Sequence, residues 1–119
     1  HKDADLCMFG LSTGAQVPTE EANSPDTDSY HSWSSNSKWV VFSSRRLDGL
    51  YTRPFIAHVG ERGVLSKPFV LPQKSTEYYT FLTKSYNIPE FVKGKVKTDT
   101  YKLVSQIKEG KNRKISFTK

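Results

Sequence analysis

Two aromatic-rich runs flank the polar tetrapeptide Ser34-Ser35-Asn36-Ser37. Tyr30 and Trp33 precede it, and Trp39, Val41 and Phe42 follow it. Aromatic and β-branched residues fit a pleated, half-buried surface, and a short polar break between two such runs is a hairpin signal. The pattern predicts strand, tight turn, strand, with Lys38–Ser43 as a central strand. Whatever fold the chain adopts has to be built around this hairpin.

More strand signals lie on either side. Leu6-Cys7-Met8-Phe9 reads as a short buried strand, with Cys7 as a small buried hydrophobe. Ser12-Thr13-Gly14 turns the chain, and Ala15-Gln16-Val17 returns it. Residues 18–29 are polar, contain Asn23-Ser24-Pro25-Asp26, and read as a loop. After the turn Arg45–Gly49, where Gly49 is suited to a positive φ, Leu50–Val59 reads as a third strand. Alternation places Tyr51, Arg53, Phe55, Ala57 and Val59 on one face and Leu50, Thr52, Pro54, Ile56 and His58 on the other. Pro54 cannot donate to a ladder, which suggests an outer position or a bulge. Gly60-Glu61-Arg62-Gly63 is a loop, and Val64–Leu71 reads as a fourth strand with Pro68 marking an edge. The expected core is Trp33, Trp39, Val41, Phe42, Tyr51, Phe55 and Ile56.

Past Pro72 the period changes. Ser75 is placed to cap a helix over Thr76–Lys84, with Tyr78, Tyr79, Phe81 and Leu82 at helical spacing. Asn87-Ile88-Pro89 stops it. Tyr101, Leu103, Val104 and Ile107 make a second helical stripe, closed by Gly110, and Lys111–Lys119 reads as a frayed end.

Charge is divided along the chain. The net charge is +6, yet residues 93–119 hold nine basic groups against two acids, while residues 1–92 hold nine against ten. The basic character therefore belongs to a tail. No apolar run approaches the ~18 residues of a membrane span, and the first residues lack the apolar stretch of a signal peptide. With Cys7 the single cysteine, neither an intrachain disulfide nor a CxxC metal site can form.

The string Ser32-Trp33-Ser34-Ser35-Asn36-Ser37-Lys38-Trp39-Val40-Val41-Phe42-Ser43-Ser44 resembles the repeat of TolB-like (WD40-like) β-propellers. In that family a Trp-Ser-Pro-Asp-Gly-Lys turn leads into an apolar strand ending in Ser. An Arg/Asp-Gly turn and a Leu/Ile-Tyr strand follow, where this chain has Arg45, Arg46, Asp48, Gly49, Leu50 and Tyr51. The stretch from Asp28-Ser29-Tyr30-His31 to Lys67-Pro68-Phe69-Val70-Leu71-Pro72, with Lys84–Phe91, is similar to the C-terminal end of TolB-related proteins from Bacteroidetes. Ser35, Asn36 and Ser37 replace the Pro, Asp and Gly of the repeat turn, and Asn36 is expected to supply the left-handed residue there. The resemblance implies a mainly β chain of about one and a half blades. Residues 1–18 would be the outer hairpin of a preceding blade, 19–72 a four-stranded antiparallel blade, and 73–119 a helical, basic tail. Repeats of this kind normally occur in sets of ~4–8 because one blade cannot bury both faces alone. The strand-like start suggests a piece of a longer protein, and the exposed blade faces are expected either to drive self-association or to be covered by the tail.

Catalytic constellations are weak. His31 lies near Asp28 and several serines, but close neighbours on one strand point to alternating faces, and no G-x-S-x-G elbow occurs. Asn23, Asp26 and Asp28 lack EF-hand spacing, and His1 and His58 lack ligand partners. No catalytic residue, metal ligand or cofactor site is assigned. Arg45, Arg46 and Arg53, with His31, remain as candidate partner-binding residues, against the alternative that the arginines pair with Asp28, Asp48 or Glu61. The resemblance implies a non-catalytic protein-interaction or scaffold module of the bacterial cell envelope, in a periplasmic setting with an envelope protein as partner. An alternative is the non-catalytic propeller of a peptidase or glycan-processing enzyme. A weaker one is nucleic-acid binding by the basic tail, which lacks a stacking platform because Tyr101 and Phe117 are its sole aromatics after Lys93.

Overall fold

The structure, a computed structural model, describes residues 3–110. His1 and the expected frayed end Lys111–Lys119 lie outside the described residues. The described residues are mainly β, with two antiparallel sheets and two short helices. The first sheet is the hairpin β1 (Met8–Phe9) and β2 (Gln16–Val17). The second has four strands, β3 (Asp28–Trp33), β4 (Trp39–Ser44), β5 (Arg53–His58) and β6 (Phe69–Val70), paired in sequential order. The helices are α1 (Tyr78–Phe81) and α2 (Thr100–Glu109).

The turn between β3 and β4 forms where the polar break predicts it. Ser34 N–H donates to Trp39 O (2.9 Å), and Asn36 Oδ1 accepts from Lys38 N–H (3.1 Å) and from the Ser34 hydroxyl (2.7 Å). The left-handed residue is Ser37 (φ 57°), at the glycine position of the repeat turn, and not Asn36, whose side chain braces the turn. Gly49 takes the positive φ (68°) expected of it.

Strand β3 carries a bulge. Ser29 pairs with Ser43 and Ser32 with Val41, so Tyr30 and His31 together face the single residue Phe42. Tyr30 absorbs the extra residue with φ 53°, which is uncommon for a bulky side chain. The bulge resets alternation, so Asp28 and Trp33, opposite Ser44 and Val40, share one face.

That face carries the core. Val40, Phe42, Phe55 and Ala57 pack with Leu6, Ala22 and Leu65, and with Met8, Val59 and Val70 at the margin. Phe42 and Phe55, directly opposite in the β4–β5 ladder, stack at 6.2 Å. Val41, Phe42 and Phe55 are buried as expected. Trp33 and Trp39 are not: they are 42% and 36% exposed, and Tyr51 and Ile56 are half-buried. Trp33 ends the edge strand beside the turn. Trp39 lies on the opposite face, edge-on to His58 at 5.0 Å. Cys7 is exposed while Leu6 is buried, so the expected buried thiol is corrected. Burial at the start of β1 alternates, and the core side falls to Leu6 and Met8.

The third and fourth strands are shorter than predicted. The expected start at Leu50 is lost because Asp48 Oδ1 accepts from the N–H groups of Leu50 and Tyr51 and holds them in the turn. Pro54 sits within an inner strand, but its carbonyl accepts from Leu71 N–H (2.8 Å), so its missing donor faces β6 and leaves the β4 ladder intact. Before β6 the expected strand is reduced to a bridge between Val59 and Leu65.

Candidate functional site

The three arginines expected to bind a partner take different roles. Arg46 leaves the β4–β5 turn and lies over Phe55 (4.7 Å) and Phe42 (5.5 Å), closing the end of the apolar core. Its guanidinium donates to the Ala22 carbonyl (2.6 Å), the Ser44 hydroxyl (2.8 Å) and Asp28 Oδ1 (2.8 Å). Asp28 is fully buried, and its other oxygen accepts from the N–H and hydroxyl of Ser24. Arg46 therefore neutralises a buried carboxylate and ties residues 22–28 to the sheet.

Arg53 is 1% exposed and is the largest fully buried side chain among the described residues. It stands on the same face as Phe55 and Ala57. Its guanidinium donates to the carbonyls of Tyr79 (3.1 Å), Leu82 (2.9 Å) and Lys84 (3.0 Å), and it pairs with Asp48 Oδ2 at 3.3 Å. Tyr51 and Tyr79 flank it at 5.1 and 5.8 Å. These carbonyls explain why α1 stops short of the predicted Thr76–Lys84. After Phe81 the chain turns extended at Leu82, and its carbonyls go to Arg53 rather than to a helical ladder. Ser75 does not cap the helix; its hydroxyl accepts from Glu77 N–H in a local turn. Tyr79 is the buried residue of α1, and its hydroxyl donates to Leu71 O at 2.7 Å. The Tyr51 and Leu50 N–H groups and the Arg53 charge hold the Asp48 carboxyl below its usual range. Tyr86 titrates above the normal tyrosine value, chiefly through its hydrogen bond with the Tyr78 hydroxyl.

Arg45 differs from both. It is half-buried, no carboxylate pairs with it among the described residues, and its Nε is buried without a partner. With Thr27, Ser29, Tyr30, Thr52 and Asn87 it lines an open cleft of about 360 Å³. The cleft lies where the tail joins the sheet. Tyr86 N–H donates to Thr52 O (3.0 Å), and the Thr52 hydroxyl donates to Asn87 Oδ1 (3.0 Å). Sequence reasoning reached Arg45 but missed Thr27, Ser29, Thr52 and Asn87, since nothing local signals that residues 27 and 87 meet.

His31 is exposed in the β3 bulge and belongs to a different place. It lines a small apolar pocket of about 60 Å³ with Cys7, Met8, Trp33 and Val40. The structure therefore does not bring His31 and Arg45 to one site.

On the face opposite the core, Ser43 is covered by the tail, its hydroxyl donating to Tyr86 O at 2.7 Å. At the other end Trp39, His58 and Phe69, with half-buried Ile56, form a stripe left exposed by the described residues. Along α2, Tyr101, Leu103, Val104 and Ile107 are also exposed. No helix is long and apolar enough to cross a membrane among the described residues. Comparison with protein-family models, curated proteins and solved structures finds no match.

Proposed function

We propose that this chain is about one and a half blades of a TolB-like propeller, working as a non-catalytic protein-interaction module of the bacterial cell envelope. The observation that carries this reading is the sequential β3–β4–β5–β6 meander, whose left-handed turn residues fall where the repeat has glycine. Ser37 stands at the glycine of the Trp-Ser-Pro-Asp-Gly turn, and Gly49 at that of the Asp-Gly turn. A propeller blade is a four-stranded antiparallel sheet of this connectivity. The separate β1–β2 hairpin fits the outer part of a preceding blade. The Trp39–His58–Phe69 stripe supports a role in contact with other protein surface, because such patches are normally covered. The periplasmic setting rests on the resemblance alone.

Site-specific photo-crosslinking in the native cell tests the proposal. A benzophenone amino acid placed at Phe69 or at Trp39 is expected to give discrete adducts with envelope protein or with further blades of the same polypeptide. Adducts to nucleic acid, or no adduct at either position, would count against a protein-interaction module.

A further inference from the structure

We propose that helix α2 and the basic stretch before it form a docking segment for an anionic lipid surface, with the helix lying in the plane of the headgroups. Thr100, Leu103, Val104 and Ile107 stand at i, i+3, i+4 and i+7, so they share one face of the helix. That face has no cover among the described residues. No residue of α2 is buried, and Ile107 and Leu103 are 74% and 50% exposed. Lys102, Ser105, Gln106 and Glu109 take the far side, while Tyr101 and Lys108, seven residues apart, border the stripe. A tyrosine and a lysine suit that border. The ring fits the headgroup level, and the lysine stem runs along apolar surface while its ammonium stays in water.

Charge selects the occupant. Just before the helix, exposed Lys93, Lys95 and Lys97 alternate with exposed Val92 and Val96. Residues 93–119 hold nine basic groups against two acids, whereas residues 1–92 hold nine against ten. One of the two acids, Asp99, caps the helix by accepting from Tyr101 N–H at 2.9 Å. The apolar stripe therefore lies within a strongly basic segment attached to a near-neutral body. Such a helix gains twice at an anionic bilayer surface, by burying its stripe at the acyl boundary and by drawing its lysines to the headgroups. Nucleic acid would engage the lysines and leave Leu103, Val104 and Ile107 in water, with Tyr101 the one aromatic of the helix able to stack on a base. An acidic protein groove has to match its charges to fixed positions, whereas the diffuse charge of a lipid surface accepts lysines spread along the chain. Ten residues make a helix about 15 Å long, half the ~30 Å of a hydrocarbon core, so α2 lies on a bilayer and does not cross it. Nothing in this assignment depends on the sheet being a propeller blade.

Co-sedimentation of the full chain with lipid vesicles tests the proposal. The probes are vesicles of phosphatidylglycerol and phosphatidylcholine, vesicles of phosphatidylcholine alone, and short duplex DNA and polyglutamate as competitors. Binding to the anionic vesicles should exceed binding to the zwitterionic ones by at least about tenfold, and it should fall steeply as salt rises from about 0.1 to 0.5 M. Ile107→Asp should weaken it by at least about tenfold, and so should Lys93, Lys95 and Lys97 changed together to Gln. None of these residues is buried, so the urea midpoint should stay where it is, and that control separates lost binding from lost fold. Trp39→Ala should leave vesicle binding intact. Equal binding to both kinds of vesicle, no binding, or binding that survives Ile107→Asp would overturn the proposal. Loss of binding with Trp39→Ala would move the contact to the sheet and overturn it as well. Tighter retention by DNA or by polyglutamate than by anionic vesicles would reassign the segment to nucleic acid or to an acidic protein. Crosslinks from Phe69 or Trp39 report on the sheet alone, so the module reading and the lipid-docking segment can fail separately.

Discussion

Replacing Arg53 by Met should release the segment from Gln73 to Asn87 from the sheet. Arg53 is the common donor for the carbonyls of Tyr79, Leu82 and Lys84. Hydrogen bonds to a charged group contribute about 1.5–3 kcal/mol each, so three carbonyls set an upper bound of roughly 4.5–9 kcal/mol. The net loss is smaller for two reasons. Methionine escapes the desolvation cost of a buried guanidinium, and a released segment finds water for its carbonyls. What is then lost is the docking itself: burial of the Tyr79 ring, the bond from Ser43 to Tyr86 O, and the pairing of Thr52 with Tyr86 and Asn87. A net destabilisation of about 2–4 kcal/mol follows. With a urea slope of about 2 kcal/mol/M, the unfolding midpoint should fall by about 1–2 M. Trypsin should also cut faster after Lys84 at low urea, because the Lys84 carbonyl loses its donor. Arg53→Lys should recover the charge but not the three-carbonyl fork, and so give an intermediate result. An unchanged midpoint together with unchanged cleavage at Lys84 would refute the idea that Arg53 holds the tail.

Ser37→Gly should stabilise the chain by about 0.5–1 kcal/mol, since it relieves a left-handed serine (φ 57°) at the cost of some unfolded-state entropy, and a denaturant series reads the difference. Trp39→Ala should cost about 2–3 kcal/mol, below the ~3–5 of a fully buried tryptophan, and it should also reduce self-association measured by light scattering over a concentration series. Acid should weaken the fold. The Asp48 carboxyl titrates below its unfolded value, so its contribution is complete above about pH 4 and is lost as pH falls through the lower folded value; Asp48→Asn should flatten this part of a stability–pH profile.

The hairpin around Ser34–Ser37 was legible in the sequence because its polar break and flanking aromatics agree with the hydrogen bonds that form there. The face assignment of β5 was legible too. Alternation put Arg53 beside Phe55 and Ala57, and that apolar company was the available sign that Arg53 is buried. Pairing with Asp48, one of the alternatives the sequence offered, is what forms, whereas the carbonyl acceptors of Arg53 lie about thirty residues away and left no local sign. Helix α2 followed from its stripe, with Asp99 accepting from Tyr101 N–H at its start. The placement of Asp28 on the core face was not legible: the bulge at Tyr30–His31 adds one residue to β3 and reverses which side chains face the core on its far side, and no local composition marks it. Nor was the exposure of Trp33, which follows from its place at the end of an edge strand. The Arg45 cleft was hidden for a similar reason. Its lining comes from the loop before β3, the β4–β5 turn and the tail, and it exists once those three meet.

The most direct test of the account is a cross-strand nuclear Overhauser map of the backbone α-protons. In the register described, Trp39–His58, Val41–Ile56 and Ser43–Pro54 are the close, non-hydrogen-bonded pairs of β4 and β5, because Val59 N–H donates to Lys38 O. The outer pair Phe55–Val70 should appear beside them. Across the bulge, both Trp33–Val40 and Asp28–Ser44 should appear, a combination that an unbulged β3 cannot give. Observing this set would establish the four-stranded meander on which the blade reading depends. Contacts between β3 and β5, or a β4–β5 register shifted by one residue, would contradict it.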